Sequence, residues 1–385
     1  MKSLMKTVAA VAVSCCALFA SAEVGVADKW AIIGGATNNQ YNWYEVDENG
    51  EPVAGGWVLK VGWDSTLERI SINGSVVQVG TAGVLDFSKT DLVVINDNNN
   101  SFKSRAFITE VRFSPRFESL GSSAFNGCTG LTKVDFGGEG SALYSIGGSA
   151  FSGCTSLTTV TPLLPKKVRG LGSSAFANCP VTGDLRFGYE AAYPFSTGDR
   201  IFQYKHQLTS VDIGPQVTKL DNWAFSSSAE NTTLKSVKLS EGLVTIGSEI
   251  FYNCKGIETV ENPLPSTLTS ISQTWKNSGL PGTVRYDLPK LYTERQFENC
   301  KSLERVVFGK RFDCLFNQSW TFNGSTVKYL DFEGDTIPSF TYGNTFNGHG
   351  NYTLLVTVPS DSATWAAVLA DPAQVTPWGE VDPAV

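Results

Sequence analysis

Ile146-Gly147-Gly148-Ser149-Ala150-Phe151-Ser152-Gly153-Cys154-Thr155-Ser156-Leu157-Thr158-Thr159-Val160 decides the reading of this chain, because it recurs. The same Ile/Leu-Gly-x-Ser-Ala-Phe-x-x-Cys-x-x-Leu-x-x-Val runs from Leu120 to Val134, and again from Leu171 to Cys179 with its tail altered after Pro180. With the Phe as marker, the register continues through Phe202, Phe225, Phe251, Trp275, Phe297, Phe322 and Phe346, and successive markers lie 22 to 26 residues apart. Weaker copies still keep apolar residues at fixed offsets: Leu208 and Val211 follow Phe202 as Leu303 and Val306 follow Phe297. Chance does not hold three positions in phase over so long a span.

A period in the twenties that carries Leu131-Thr132-Lys133-Val134-Asp135-Phe136 fits one coil of a leucine-rich-repeat solenoid. One coil cannot bury its own apolar residues, whereas a stack of coils can. Each coil contributes a short strand, paired in parallel with the next at about 4.8 Å. Alternation along the strand sends Val134 and Phe136 inward and Lys133 and Asp135 outward. The Ala-Phe step lies on the return side of the coil, its ring stacked on neighbouring rings. The fold class is therefore an α/β repeat solenoid of about ten coils with short parallel strands, a β-rich N-terminal cap and a short helical C-terminal cap.

The flanks set the remaining boundaries. Lys2 and Lys6 precede an apolar run from Val8 to Phe19 that ends in Ala20-Ser21-Ala22, the pattern of a signal peptide cleaved after Ala22. That run is shorter than the roughly 20 residues a membrane helix needs. Cys15 and Cys16 offer a lipoprotein alternative, but the residues before them lack the leucine of a lipobox. Residues 23–107 hold Trp30, Trp43, Trp57 and Trp63 with turn signals at Asn49-Gly50 and Asn73-Gly74, and read as a β-rich cap region. Within it Val84-Leu85-Asp86-Phe87, like Glu110-Val111-Arg112-Phe113 beyond it, resembles a degenerate coil. The solenoid then spans 108–358, and Pro359 introduces a C-terminal cap helix around Trp365 and Leu369 with a tail to residue 385.

Composition narrows the chemistry. The 385 residues include 37 Gly and 23 Phe but only 2 His and 2 Met. Histidine catalysis and histidine-ligated metal therefore have little to work with. With 30 basic and 37 acidic residues the net charge is −7, and no basic block marks a nucleic-acid partner. Loss of residues 1–22 takes Lys2 and Lys6 and no acid, leaving 28 bases against 37 acids, or −9. Export exposes cysteines to oxidation. Yet Cys128, Cys154, Cys179, Cys254 and Cys300 share one repeat position, where stacked Cβ atoms at about 4.8 Å exceed disulfide spacing. Buried free thiols are expected, with Cys314 alone off the position. No zinc site is expected, since no CxxC pair or adjacent histidine supplies ligands.

His206 falls one residue past the cysteine position of its coil, which predicts a surface site, and His349 sits in a turn-like stretch. Asp97-Asn98-Asn99-Asn100 lacks the Gly and closing Glu of an EF-hand. No catalytic residue, cofactor or metal is assigned, and the expectation is a non-enzyme.

Leu243-Val244-Thr245-Ile246-Gly247-Ser248-Glu249-Ile250-Phe251-Tyr252-Asn253-Cys254-Lys255-Gly256-Ile257-Glu258-Thr259-Val260 resembles the coil of the BspA-like leucine-rich-repeat proteins, Leu-x-x-Ile-Gly-x-x-Ala-Phe-x-x-Cys-x-x-Leu-x-x-Val. The resemblance covers about residues 108 to 358 and departs at Trp275, Gln296, Thr345 and the connection from Val181 to Ile201, where an irregular solenoid is expected. It implies an exported or surface protein without enzymatic activity, binding an extracellular protein such as a host matrix protein. The alternatives are a carbohydrate-binding surface protein that uses the N-terminal tryptophans, and a structural envelope component.

The outward strand position, read coil by coil, runs Arg112, Asp135, Thr161, Arg186, Asp212, Lys238, Glu261, Arg285, Val307, Asp331, Thr357. From Arg186 to Arg285 the sign alternates, so neighbours support strand pairing, at about 0.2 to 1 kcal/mol each. Those charges are also candidate partner contacts. Val307, Tyr329 and Leu355 form a more apolar outward patch, the candidate hot spot of an interface.

Overall fold

A computed structural model gives backbone strands at 30–33, 40–45, 58–64, 69–72 and 75–78, and describes 84–88, 92–96, 102–106, 108–190, 193–261, 264–288, 294–312, 320–336, 355–370 and 380–383. The proposed signal peptide, Cys314, His349, Thr345, Phe346, Trp57 and the Asp97–Asn100 run lie outside the described residues. Two compact units divide the chain at Thr182 and Gly183.

The first unit opens with β1 (Trp30–Ile33), β2 (Gln40–Glu45), β3 (Val58–Asp64), β4 (Arg69–Ile72) and β5 (Ser75–Gln78), paired antiparallel in sequence order. It continues through β6 (Val84–Asp86), β7 (Leu92–Asn96), β8 (Glu110–Arg112), β9 (Ser119–Leu120), β10 (Lys133–Asp135), β11 (Ser145–Ile146), β12 (Thr159–Thr161) and β13 (Gly170–Leu171). Each coil thus carries two short strands, one more than the repeat suggested. One parallel sheet runs β6-β8-β10-β12 with Leu85, Val111, Val134 and Val160 in register. The other runs β7-β9-β11-β13 with Ile95, Leu120, Ile146 and Leu171 in register, and β1 joins its β7 edge in parallel. The Val84–Asp86 stretch is therefore a coil strand, as its sequence suggested.

The second unit holds β14 (Thr182–Phe187), β15 (Ser196–Thr197), β16 (Gln207–Ile213), β17 (Lys219–Leu220), β18 (Ser236–Leu239), β19 (Thr245–Ser248), β20 (Thr259–Val260) and β21 (Ser270–Ser272). They are followed by β22 (Gly282–Tyr286), β23 (Leu303–Phe308), β24 (Tyr329–Phe332), β25 (Leu355–Val358), α1 (Ala363–Leu369) and β26 (Glu380–Pro383). The sheets are β14-β16-β18-β20, β17-β19-β21 and β22-β23-β24-β25-β26. The connection after Val181, expected to be irregular, keeps both strand places as β14 and β15, with the extra residues held between them.

Marker rings fill the interior. Phe102, Phe125, Phe151 and Phe176 stack with centroids 5.0, 5.6 and 5.1 Å apart. In the second unit Phe202, Phe225, Phe251 and Trp275 stack at 5.9, 5.6 and 5.1 Å, so the tryptophan is absorbed without breaking the column. Gln296 is fully buried and satisfied: its amide donates to the Tyr286 hydroxyl at 3.4 Å and its carbonyl accepts from the Thr274 amide at 3.2 Å.

The return side is turn rather than helix, and the only described helix is α1. The chain takes a left-handed turn two residues before the marker, at Ser123, Ser149 and Ser174 and at Arg200, Trp223 and Glu249. It takes another two residues after it, at Gly127, Gly153, Asn178 and Asn253. Gly and Asn reach that conformation at least cost, which explains the Phe-x-Gly/Asn-Cys spelling. At α1 the Ser362 hydroxyl accepts from the Trp365 amide at 3.2 Å, an N-cap. Trp365 is buried against Phe332, and its indole donates to the Gly334 carbonyl at 3.0 Å. The residues read as a tail include β26, which pairs in parallel with β25.

Candidate functional site: the outward strand face

Interior positions are occupied by packing, so the cysteines belong to the core. Cys128, Cys154, Cys179, Cys254 and Cys300 are free and buried. Each thiol donates to the main-chain carbonyl of the preceding marker, as Cys154 to Phe125 at 3.1 Å and Cys254 to Phe225 at 3.3 Å. Burial pushes the Cys300 thiol up to about 12 and raises that of Cys254. The Cys254 and Cys300 thiols are therefore protonated and poor nucleophiles.

His206 is not at the surface: it is 2 % exposed. Its Nε2 donates to the Phe225 carbonyl at 2.8 Å and Nδ1 faces the Asn231 amide at 3.4 Å. The physical reason is that Lys205 and Ser228, at the cysteine places of its own coil and the next, are both exposed, so no thiol fills either place and the ring turns in edge-on to Phe225 at 6.3 Å. Its ring nitrogen shares the Phe225 carbonyl with the Cys254 thiol. Burial holds the imidazole down to about 4, against the smaller opposing pull of the Phe225 carbonyl, so it is neutral.

The outward residues of the second unit come together as the register requires. Asp212 pairs with Lys238, and Val237 with Val260, which sets Lys238 beside Glu261. Arg186 meets Asp212 at 3.2 Å and Lys238 meets Glu261 at 3.2 Å. Tyr189, which the repeat reading passed over because it sits in the inserted connection, organises one end. Its ring lies 4.0 Å from the Arg186 guanidinium and its hydroxyl donates to Asp212. Burial first, and that bond to Asp212 second, raise its hydroxyl.

Arg285 turns away from this row to a two-pronged pair with Glu333, one contact at 2.6 Å, which holds the Glu333 carboxyl below its usual range. That pair reaches across β23, on whose outward face Val307 stands between Arg285 and Asp331 in register. Tyr329 lies between Arg305 and Leu355 in the other outward row. Val307, Tyr329 and Leu355 therefore share one face, half-buried and interleaved with charge: Arg305 covers the Tyr329 ring at 4.2 Å and reaches Asp331 at 2.5 Å. Reading the position two residues before Val307 would have found Arg305. In the first unit Arg112, Asp135 and Thr161 stand in register, and Glu110 gathers Arg112 at 2.8 Å and Lys133 at 2.9 Å. The side chains of Trp30, Trp43 and Trp63 lie outside the described residues. Among the described residues no helix is long and apolar enough to cross a membrane.

The model of the BspA type leucine rich repeat region matches residues 95–232 and 195–325, six copies in all. A leucine-rich repeat protein from Bacteroides ovatus is similar in structure, at 18 % identity and a TM-score of 0.52 over 79 % of this chain and 76 % of that one. A leucine rich cell surface protein from Faecalibacterium prausnitzii matches at 16 % identity over 81 % of this chain and 96 % of that one, with a TM-score of 0.32. The pneumococcal vaccine antigen PcpA matches at 14 % over 85 % and 97 %, with a TM-score of 0.36. No protein with a curated description matches the sequence. Coil motif, stacked strands and a family match over more than half its length agree: the chain belongs to the BspA type leucine-rich-repeat family.

Proposed function

We propose that this chain is an exported, non-enzymatic recognition protein whose outward strand face binds an extracellular protein, in adhesion or host interaction. The supporting observation is the division of labour within the coil. Inward residues such as Val211, Val237, Val284 and Val306 are at most 1 % exposed and committed to packing. The outward residues, by contrast, stand on paired strands that fix their spacing. Rigid display on regular elements lowers the ordering cost of binding a partner. Arg186, Asp212, Lys238, Glu261 and Arg285 supply charge, while Val307, Tyr329 and Leu355 supply apolar contact.

The test has two arms. Fractionation with protease treatment of intact cells reports whether the chain reaches the surface, and retention in the cytoplasm overturns the proposal. Purified chain is then offered to a panel of immobilised host matrix proteins. Binding that survives Y329A and R285A together with D212K leaves the outward face without a role.

A further inference from the structure

The row Arg186, Asp212, Lys238, Glu261 has a property beyond strand support: read backwards, its signs are inverted. Two such rows laid antiparallel place every cation against an anion. We infer that this face docks a second copy of the chain, related by a two-fold axis passing between β16 and β18. Arg186 then meets Glu261 of the other copy, and Asp212 meets its Lys238. The inference rests on the outward face being a protein-recognition surface and names one partner for it.

Three observations favour this occupant. The row sums to zero on a chain whose net charge is −7, so two copies approach along it without net repulsion. A partner of uniform charge would find half its contacts repulsive on the same row. The charges are also pre-positioned and still accessible: Arg186 is 66 % exposed, Lys238 47 % and Glu261 52 %, while Asp212 is fixed between Arg186 and Tyr189. Four strands at about 4.8 Å give a face roughly 20 Å across, and the four residues of β18 at a rise of about 3.3 Å give about 13 Å along it, which buries less than a standard interface. The dimer is therefore weak and salt-sensitive.

The experiment is sedimentation of the purified chain from about 10 µM to about 1 mM, in low and high salt. The expected result is reversible dimerisation that weakens with salt. D212K opposes like charges twice across the two-fold axis, and so does K238D. Each variant alone is expected to associate at least about tenfold more weakly, yet their equimolar mixture restores the dimer, because every contact across the axis is again between opposite signs. The internal ladder cannot produce that restoration, since each chain's own ladder stays broken, and circular dichroism checks that both variants fold. A wild type monomeric throughout, undiminished association of D212K, or a mixture no better than its parts overturns the inference. If the chain is monomeric but loses matrix-protein binding with D212K, self-association falls while the recognition reading stands.

Discussion

The coils of the first unit and those of the second keep the same interior and differ at the rim. In the first, the left-handed place before the marker is Ser123, Ser149 and Ser174, and three successive coils carry Cys128, Cys154 and Cys179. In the second, that place holds Arg200, Trp223, Glu249, Gln273, Arg295 and Trp320, and the coils marked by Phe202 and Phe225 have no cysteine at the repeat position. Ring stacking is nevertheless alike, with interplanar angles of 6° for Phe125 on Phe151 and 8° for Phe225 on Phe251. The marker ring sets the coil, and the rim is where the two regions are free to diverge.

If that is right, removing a ring costs the same in either region. Phe151→Ala and Phe251→Ala each take away a fully buried ring stacked on both sides. Each is expected to destabilise by about 3 to 5 kcal/mol. Hydrogen exchange, read coil by coil, should show protection lost around the substituted ring and least at distant coils. A cost in one region less than half that in the other would mean that the rim, not the ring, carries that region.

Acid separates the regions. His206 and Asn231 form a buried polar knot in the second unit, whereas no histidine occurs before residue 206. The folded imidazole lies near 4, below its ordinary 6.5, so the neutral form is the one the fold selects. Stability from this group is present above about pH 6.5 and is lost as the pH falls towards 4. The full loss is roughly 3 kcal/mol. Urea unfolding at pH 7 and pH 4 should show a drop larger by about that amount for the wild type than for His206→Gln, because carboxyls such as Glu333 weaken both alike, with the earliest exposure in coils around Phe202 and Phe225.

A third contrast sits four residues before the marker. Gly172 occupies it in the first unit, where an added Cβ would lie 2.3 Å from the Gly148 amide nitrogen. In the second unit Gly198 and Gly247 keep the glycine, but Asp221 replaces it before Phe225, its carboxylate accepting from the Thr197 hydroxyl at 3.4 Å. Gly172→Ala is expected to cost about 1 to 3 kcal/mol through backbone displacement. Asp221→Ala, which also gives up the ion pair to the largely exposed Lys219, should cost about 1 kcal/mol or less. Equal midpoints in denaturant would show that the coil of Phe176 has the slack of the coil of Phe225.

These contrasts track what the sequence makes legible. Period, marker and inward Val were readable because they repeat, and the buried free thiols followed from strand spacing alone. The repeat offset misplaces His206 because its own coil and the next put exposed Lys205 and Ser228 at the cysteine place, and the ring fills the interior instead. Tyr189 lay in an insertion that the period skips, and Arg305 in an outward row that reading a single position per coil leaves out. The second strand of each coil is two residues long in β9, β11 and β13, too short to show alternation.

The finest contrast concerns one backbone conformation with two different tenants. Ser149 and Glu249 adopt left-handed φ of 54° and 55°. Holding a non-glycine residue there costs about 1 kcal/mol, which glycine relieves apart from its larger loss of chain entropy. Ser149→Gly gives up no side-chain contact on the scale of an ion pair, so it should be neutral or stabilising by up to about 1 kcal/mol. Glu249→Gly relieves the same strain but removes the carboxylate that accepts from the Trp223 indole at 3.1 Å and from Lys276 at 2.9 Å. Those partly buried, charge-assisted bonds outweigh the relief, so the sign reverses to a loss of about 1 kcal/mol. Thermal midpoints that shift in the same direction for both variants would show that the decorated rim of the second unit adds nothing to its stability.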